Sequence, residues 1–330
     1  MNATKNEPRS NRWRALSART VRFLSSNIAY VAFILLILFF SVAAGGKFMT
    51  IRNWSLILEQ TPVLALLALG MTFVITAGFI DLSVGSIFGM ASLIGALATR
   101  QLGLAGILVC IMTGAGIGFI NGVLFNWLRI PSFIVTLAMM VIMRAFMAII
   151  TGGFAIYLDQ VNASGLAFVN WLGRFPQVAI ITLAITAVSA LIYSRGVFGR
   201  NLAAIGGAER AVARFGVSVG RYRILAMTLS GLMAGLASIL GLAQFGAAGP
   251  LTGSGMELQA ISAVVLGGTP LTGGYGSTTK TLVGALALIV LADGLTLMGV
   301  PPSWTSVVSG VILIAAVAIA LERGKIGVVK

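Results

Sequence analysis

The chain has 330 residues, of which 58% are hydrophobic and 9% are charged, and its net charge is +14. Soluble domains carry about 25% charged residues, so this composition excludes a soluble protein and predicts an all-α polytopic membrane protein. The 22 basic residues lie between apolar stretches instead of forming one face, which argues against nucleic-acid binding and favours membrane lipid and orientation as the reason for the charge.

About ten apolar segments approach the length of ~20 residues with which a helix spans a bilayer. In chain order they are 28–45, 62–79, 82–99, 104–128, 131–150, 177–194, 223–246, 257–270, 280–298 and 304–321. The eighth is short and glycine-rich, which favours a broken or re-entrant helix. Residues 1–27 form a basic tail before the transmembrane domain of residues 28–321, and residues 322–330 form a second tail. The long basic lead favours an uncleaved first helix over a cleaved signal peptide.

The distribution of lysine and arginine predicts the orientation of the chain, because cytoplasmic loops carry an excess of both. With the N-terminus inside, seventeen basic residues fall on the cytoplasmic side and four on the outer side. Both tails are then cytoplasmic, and so is the long hydrophilic stretch 195–223, which holds six arginines and one acidic residue. A membrane protein with one long basic loop and no soluble domain is predicted to bind another protein there.

Within that stretch, residues 208–215 read AERAVARF and predict a two-turn helix bracketed by glycines. Ala211, Val212 and Phe215 are predicted to share one side of it, with the charged residues more exposed. Such a helix is a docking element for another protein, and the alternative is an amphipathic helix that lies on anionic lipid. The predicted docking residues are Gly206, Gly207, Glu209, Arg210, Ala211, Arg214, Phe215 and Gly216.

Two polar, glycine-rich segments interrupt the apolar pattern, and the first is 78–86 (GFIDLSVGS). An aspartate at the centre of a membrane helix costs at least about 2.5 kcal/mol, so Asp81 should face protein or water. One interpretation is a broken helix that lines a solute path. The other is a cytoplasmic turn in which Asp81 caps the next helix.

The second interruption is 267–277 (GGTPLTGGYGS). An offset of 191 residues places Ser277 over Ser86 of the first interruption, which predicts a weak internal repeat with the two segments at one site. The residues predicted to line the translocation path are Asp81, Ser83, Asn121, Gly267, Gly268, Thr269 and Asp293.

Two predicted helices carry glycines about one turn apart on one face. The first set is Gly114, Gly118 and Gly122, and the second is Gly231 and Gly235. Small residues at this spacing let two helices approach closely in lipid, so these faces are predicted to serve packing.

The residue types exclude several kinds of chemistry. The chain has no histidine and one cysteine, Cys110, which excludes Ser-His-Asp, Cys-His and histidine–zinc sites. Residues 273–281 (GGYGSTTKT) look like a phosphate loop, but Thr279 stands where that motif requires glycine before the lysine. We therefore predict no catalytic residue, no metal site and no cofactor held by this chain, with any nucleotide bound elsewhere.

Five motifs together resemble the permease subunit of ribose-type ABC sugar importers, over most of residues 55–321. They are GMTFVITAGFIDLSVGS (70–86), INGVLFNWLRIPSFIVTLAMM (120–140), GRNLAAIGGAERAVARFGV (199–217), SGLMAGLASILGLAQFGAA (230–248) and ELQAISAVVLGGTPLTGGYGS (257–277). That family commonly has Gly-Gly-Ile-Asp-Leu-Ser around the position of Asp81, and this chain departs from it by carrying Phe79.

The resemblance implies a transport subunit without enzymatic activity, located in the bacterial inner membrane, that gives a sugar or sugar-like polyhydroxy solute its path. The implied partners are cytoplasmic ABC ATPase subunits that hold ATP and Mg, a second permease subunit, identical or different, and a periplasmic sugar-binding protein. Residues 199–221 would then couple closure of the ATPase pair to the path.

Two other functions stay open at this point. One is an ion-coupled secondary transporter that uses the intramembrane acids Asp81 and Asp293. The other is an integral membrane enzyme, which the missing histidine and the absence of clustered acidic residues disfavour.

Overall fold

The computed structural model describes residues 27–158 and 170–301, together with 303–304, 307–308, 310–311 and 314. The predicted tails, apart from residue 27, and most of the tenth predicted span lie outside the described residues. Helices with both ends described are α1 (Ile28–Ala43), α2 (Ile51–Thr76), α3 (Val84–Leu102), α4 (Gly106–Leu128), α5 (Ser132–Thr151), α6 (Gln177–Arg195), α7 (Val197–Arg214), α8 (Val219–Phe245), α9 (Met256–Leu266) and α10 (Thr278–Leu297). This confirms the predicted all-α class.

Six helical stretches in the described part are long and apolar enough to cross a membrane, judged by length and composition. One of them, Val84–Leu128, runs for 45 residues and contains both α3 and α4. A 3-10 turn at Gly103–Ala105 folds these two helices back on each other, so that Gly95 lies against Cys110. Helix α9 has 11 residues, or about 16 Å, which is too short to span the hydrocarbon and agrees with the predicted broken eighth segment.

Helix α2 begins at Ile51, well before the predicted start at residue 62. Thr50 caps it by accepting a hydrogen bond from Asn53 N at 3.3 Å, and Pro62 lies inside the helix without ending it. Proline in a helix interior removes one backbone hydrogen bond, and in membrane helices neighbouring elements tolerate this loss. The predicted boundary at 62 is therefore wrong, and α2 is a 26-residue helix at the centre of the bundle.

The bundle has two ends, which we name after the elements that lie there. At the α7 end, buried side chains of α2, α4, α7 and α8 form one apolar cluster that includes Phe73, Phe125, Leu202 and Met227. At the ribbon end, the short strands β1 (Ile156–Tyr157) and β2 (Ala247–Ala248) pair in antiparallel fashion, following α5 and α8 respectively.

The two predicted glycine faces pack against each other and form what we call the glycine seam between α4 and α8. A Cβ added at Gly118 would lie 3.0 Å from Gly231 Cα, and one at Gly235 would lie 2.7 Å from the Cys110 carbonyl oxygen. Backbone meets backbone along this line because neither helix places a side chain there. The prediction that these faces serve close helix packing is confirmed.

We expect Gly114→Ala to lower the free energy of unfolding by about 1–3 kcal/mol, the usual cost of overpacking. The new Cβ would lie 2.8 Å from Gly235 Cα, so the seam has to open. Gly116→Ala is the matched control on the same helix, since no atom lies within 4 Å of a Cβ there. Thermal unfolding in detergent would measure both variants, and equal midpoints would contradict the close seam.

Candidate functional site

The connection between α2 and α3, residues 77–83, is an irregular turn that we call the Asp81 turn. Asp81 at its centre is fully buried. Its Oδ1 accepts hydrogen bonds from Ser83 N at 2.9 Å and Ser83 Oγ at 2.6 Å, and its Oδ2 accepts one from Ser230 Oγ at 2.8 Å. Both carboxylate oxygens thus have protein partners, which offsets the cost of removing the group from water.

The Asp81 turn lies inside the bundle. Ser230, which binds Asp81, is in the middle of α8, and Asn121 of α4 donates from Nδ2 to Ser83 Oγ at 2.8 Å. The four side chains connect the Asp81 turn with α4 and α8 in one buried network. Asp81 itself thus lies beside the middle of α8, and both interpretations of the turn, a broken helix and a capping turn, stay predictions.

Side chains of α5 accept hydrogen bonds from backbone N–H groups of the turn. Ile80 N donates to Ser132 Oγ and Leu82 N donates to Thr136 Oγ1, each at 3.0 Å. Irregular backbone at membrane depth is stable only where protein or water supplies such partners. The sequence did not single out Ser132, Thr136 or Ser230. The sequence offers one sign of their role: Ser132 and Thr136 are polar residues one turn apart at the start of an apolar helix.

The segment 267–277, which we call the Gly267 loop, connects α9 to α10. Gly267 packs closely on the backbone of Lys280, Gly268 has a φ of 84°, and Thr269 is buried. The Thr269 hydroxyl has no hydrogen-bond partner among the described residues. These three predicted path residues do not join the Asp81 network.

The Gly267 loop instead meets the Asp81 turn at the α7 end. A Cβ added at Gly273 would lie 2.6 Å from Gly78 N, and Gly274 N donates to the Thr76 carbonyl at 2.9 Å. The two interruptions that the sequence aligns are therefore in direct contact. Their backbones can approach this closely because glycine has no side chain.

Asp293 lies away from both segments. Its Oδ2 accepts a hydrogen bond from Asn53 Nδ2 at 2.8 Å, and the same Nδ2 donates to the Phe48 carbonyl at 3.1 Å. This contact joins the first turns of α2 to the late part of α10. Asp81 and Asp293 share no partner, so the structure does not unite them in one site.

A cavity of about 400 Å³ lies beside the connection between β2 and α9. Its lining is mainly apolar, with Thr252 and Ser254 as polar members. Arg144 of α5 donates from Nη1 to the carbonyls of Thr252 at 2.6 Å and Pro250 at 3.2 Å, and so fixes this connection to the bundle. The charged side chain of Arg144 thus binds this connection through neutral backbone carbonyl groups.

Helix α7 is longer than the predicted two turns and consists of two segments. Residues 197–207 pack on the bundle through Leu202 and Ile205, and a kink at Ala208 (φ −159°, ψ 67°) separates them from residues 209–214. Gly206 lies against the backbone of Thr76 and Gly274, where a Cβ would be 2.5 Å from Gly274 N. Helix α7 therefore touches both the Asp81 turn and the Gly267 loop.

The second segment of α7 presents a different face from the predicted one. Of the three residues expected on one apolar side, Val212 packs on the bundle, whereas Ala211 is exposed and Phe215 is 88% exposed. Glu209 is half-buried because its carboxylate binds Arg223. The other predicted docking residues of this segment, Arg210, Arg214 and Gly216, are exposed.

Comparison with known proteins gives consistent matches over nearly the whole chain. Residues 53–317 match the family model described as branched-chain amino acid transport system, permease component. The chain is 36% identical to the ribose import permease protein RbsC of Escherichia coli, over 91% of this chain and 95% of that protein. No solved structure matches it.

The names of two further relatives mention other solutes. The xylose transport system permease protein XylH of Escherichia coli is 33% identical, over 88% of this chain and 90% of that protein. The autoinducer 2 import system permease protein LsrC of Yersinia enterocolitica is 32% identical, over 90% of this chain and 83% of that protein.

Ser230→Ala should lower the free energy of unfolding by about 1 kcal/mol, because it removes one bond to a buried carboxylate. Ser262→Ala is the control, since this buried hydroxyl donates to the Leu258 carbonyl of its own helix. Thermal unfolding in detergent gives both values. A Ser230 variant as stable as the Ser262 variant would show that the bond between the Asp81 turn and α8 contributes nothing.

Asp81→Ala and Asp81→Asn separate the hydrogen bonds of Asp81 from its charge. Alanine removes all three bonds, whereas asparagine can keep its oxygen on Ser83 and donate from its amide nitrogen to Ser230 Oγ. We therefore expect transport and stability to fall sharply with alanine and to stay near native with asparagine. Equal loss of transport in two folded variants would instead assign a role to the negative charge.

Proposed function

The chain belongs to the family of branched-chain amino acid transport system permease components, and we propose that it gives a sugar or sugar-like polyhydroxy solute its path through the membrane in an ATP-driven importer. It is a multi-pass membrane protein and the permease subunit of such a system. Ribose, xylose and autoinducer 2 appear in the names of its relatives, which supports a small polyhydroxy solute.

The interior of the bundle supports a neutral solute. The side chains that bind Asp81 and Ser83 do so through hydroxyls and an amide, and both oxygens of the Asp81 carboxylate already accept hydrogen bonds. Asp293, the second acid of an ion-coupled mechanism, binds Asn53 elsewhere in the bundle. These positions favour the importer over the ion-coupled alternative.

Energy would come from partner subunits, because the Gly267 loop and the start of α10 lack a complete phosphate-binding motif. The partners are cytoplasmic ABC ATPase subunits holding ATP and Mg, a second permease subunit, and a periplasmic binding protein that delivers the solute. The basic residues Arg129, Lys280 and the arginines of 195–223 support an orientation with the α7 end and both termini on the cytoplasmic side.

One observation carries the proposed route of coupling: α7, a hydrophilic helix, touches both segments that interrupt the membrane helices. Gly206 lies against Ala77 of the Asp81 turn and Gly274 of the Gly267 loop, and the exposed second segment of α7 follows after the kink at Ala208. An ATPase that binds residues 207–216 would therefore act on a helix already in contact with the Asp81 turn and the Gly267 loop.

The energy source can be tested in vesicles that contain this chain with the ATPase and binding-protein partners. Uptake of labelled ribose or xylose should require ATP inside the vesicle on the α7 side and persist when ionophores collapse all ion gradients. Uptake that needs an ion gradient and continues without ATP would overturn the importer and support the secondary transporter.

A size series at Gly207 tests the docking role of α7. Gly207 is exposed and no atom lies within 4 Å of a Cβ there, so larger side chains should not disturb the fold. We expect Gly207→Ala to transport normally and Gly207→Trp to abolish solute-coupled ATP hydrolysis at unchanged thermal stability, because the indole obstructs a bound partner. Normal transport by Gly207→Trp would contradict docking at this surface.

A further inference from the structure

Arg223, the fifth residue of α8, binds the second segment of α7. Its Nη2 donates to Glu209 Oε1 at 2.6 Å, and this is the one ion pair found among residues 27–158 and 170–301. The Arg223 side chain is 21% exposed and that of Glu209 is 42% exposed. Glu209 comes directly after the kink at Ala208, so the pair holds the first residue of the second segment of α7.

The guanidinium of Arg223 also lies over two aromatic rings. Its Cζ is 4.8 Å from the centroid of Phe125 and 5.8 Å from that of Phe79, within the range of cation–π attraction. The two rings meet edge to face with centroids 4.9 Å apart. Phe79 precedes Asp81 by two residues and belongs to the Asp81 turn.

We propose that Glu209, Arg223 and Phe79 are positioning residues that transmit movement of the second α7 segment to the Asp81 turn. This inference rests on the proposed docking function of that segment. A displacement of residues 209–214 moves Glu209, the ion pair moves Arg223, and the guanidinium moves the ring of Phe79 together with the backbone that holds Asp81.

The contacts of α7 favour this route over its first segment. Leu202 and Ile205 are fully or almost fully buried, so residues 197–207 move with the bundle. Beyond the kink, the segment touches the bundle through Glu209 and Val212, and its remaining side chains are exposed. A force applied to the exposed face therefore reaches the bundle mainly at these two residues.

A second connection leads from Arg223 to the same carboxylate. Arg223 and Ser230 lie on α8 seven positions apart, two turns along one face, and Ser230 binds Asp81 Oδ2. The link through Phe79 depends on its ring, which a glycine would lack.

The test measures solute transported per ATP hydrolysed by the complete transporter in vesicles. Phe79→Leu and Glu209→Gln should each lower this ratio at least about fivefold while ATP hydrolysis continues. The double variant should be no worse than the more affected single variant, since both changes break one link. Phe198→Leu is the control, because Phe198 packs on Phe73 and Tyr222 at the same end without touching Arg223.

The outcomes separate this inference from the docking proposal. If Gly207→Trp lowers the ratio while Phe79→Leu and Glu209→Gln keep the native value, docking stands and the link is overturned. If all three keep the native value, both proposals fall. Should Phe79→Leu not fold, Glu209→Gln decides alone, because its half-exposed side chain can be changed without opening the core. Additive losses in the double variant would also overturn a single link.

Discussion

Hydrogen bonding of the Asp81 turn is the constraint on which the arrangement of the bundle depends. A break in a membrane helix exposes backbone groups that lipid cannot satisfy, and a carboxylate at that depth adds a further demand. Ser83 of the turn itself and three helices meet it together: α5 provides Ser132 and Thr136, α8 provides Ser230, and α4 provides Asn121. Asn121 of α4 then binds Ser83. Moving any one of these helices leaves a buried polar group without its partner.

Glycine allows the same region to be compact at its α7 end. The Asp81 turn, the Gly267 loop and α7 converge at Gly78, Gly273 and Gly206, where backbone contacts backbone. Because these three segments are in backbone contact, one of them has little freedom to move without the others. Helix α7 and the two helix breaks are for this reason adjacent parts of one packed unit, which suits a transporter driven by a partner.

The sequence predicts the features that depend on rare residue types in apolar runs. An aspartate and paired glycines stand out among leucine and valine, so the Asp81 turn and the glycine seam are predictable. Ser132, Thr136 and Ser230 are not, because serine and threonine are common in membrane helices and most of them bond their own backbone. The long first segment of α7 also escapes prediction, since Leu202 and Ile205 are few apolar residues within a hydrophilic stretch. The Glu209–Arg223 pair joins two helices across a turn, which no local pattern specifies.

The glycine seam has a consequence for how selectivity can vary. Helices α4 and α8 touch along their backbones, so no rotamer change can absorb a shift between them, and the pair behaves as a fixed frame with α3 attached. We expect adaptation to a solute of different size to occur where side chains, and not backbone, line open space. The wall between Phe88 and Phe245, beside the connection that Arg144 holds, is such a place. A scaffold of this kind separates the residues that preserve the fold from those free to change with the cargo.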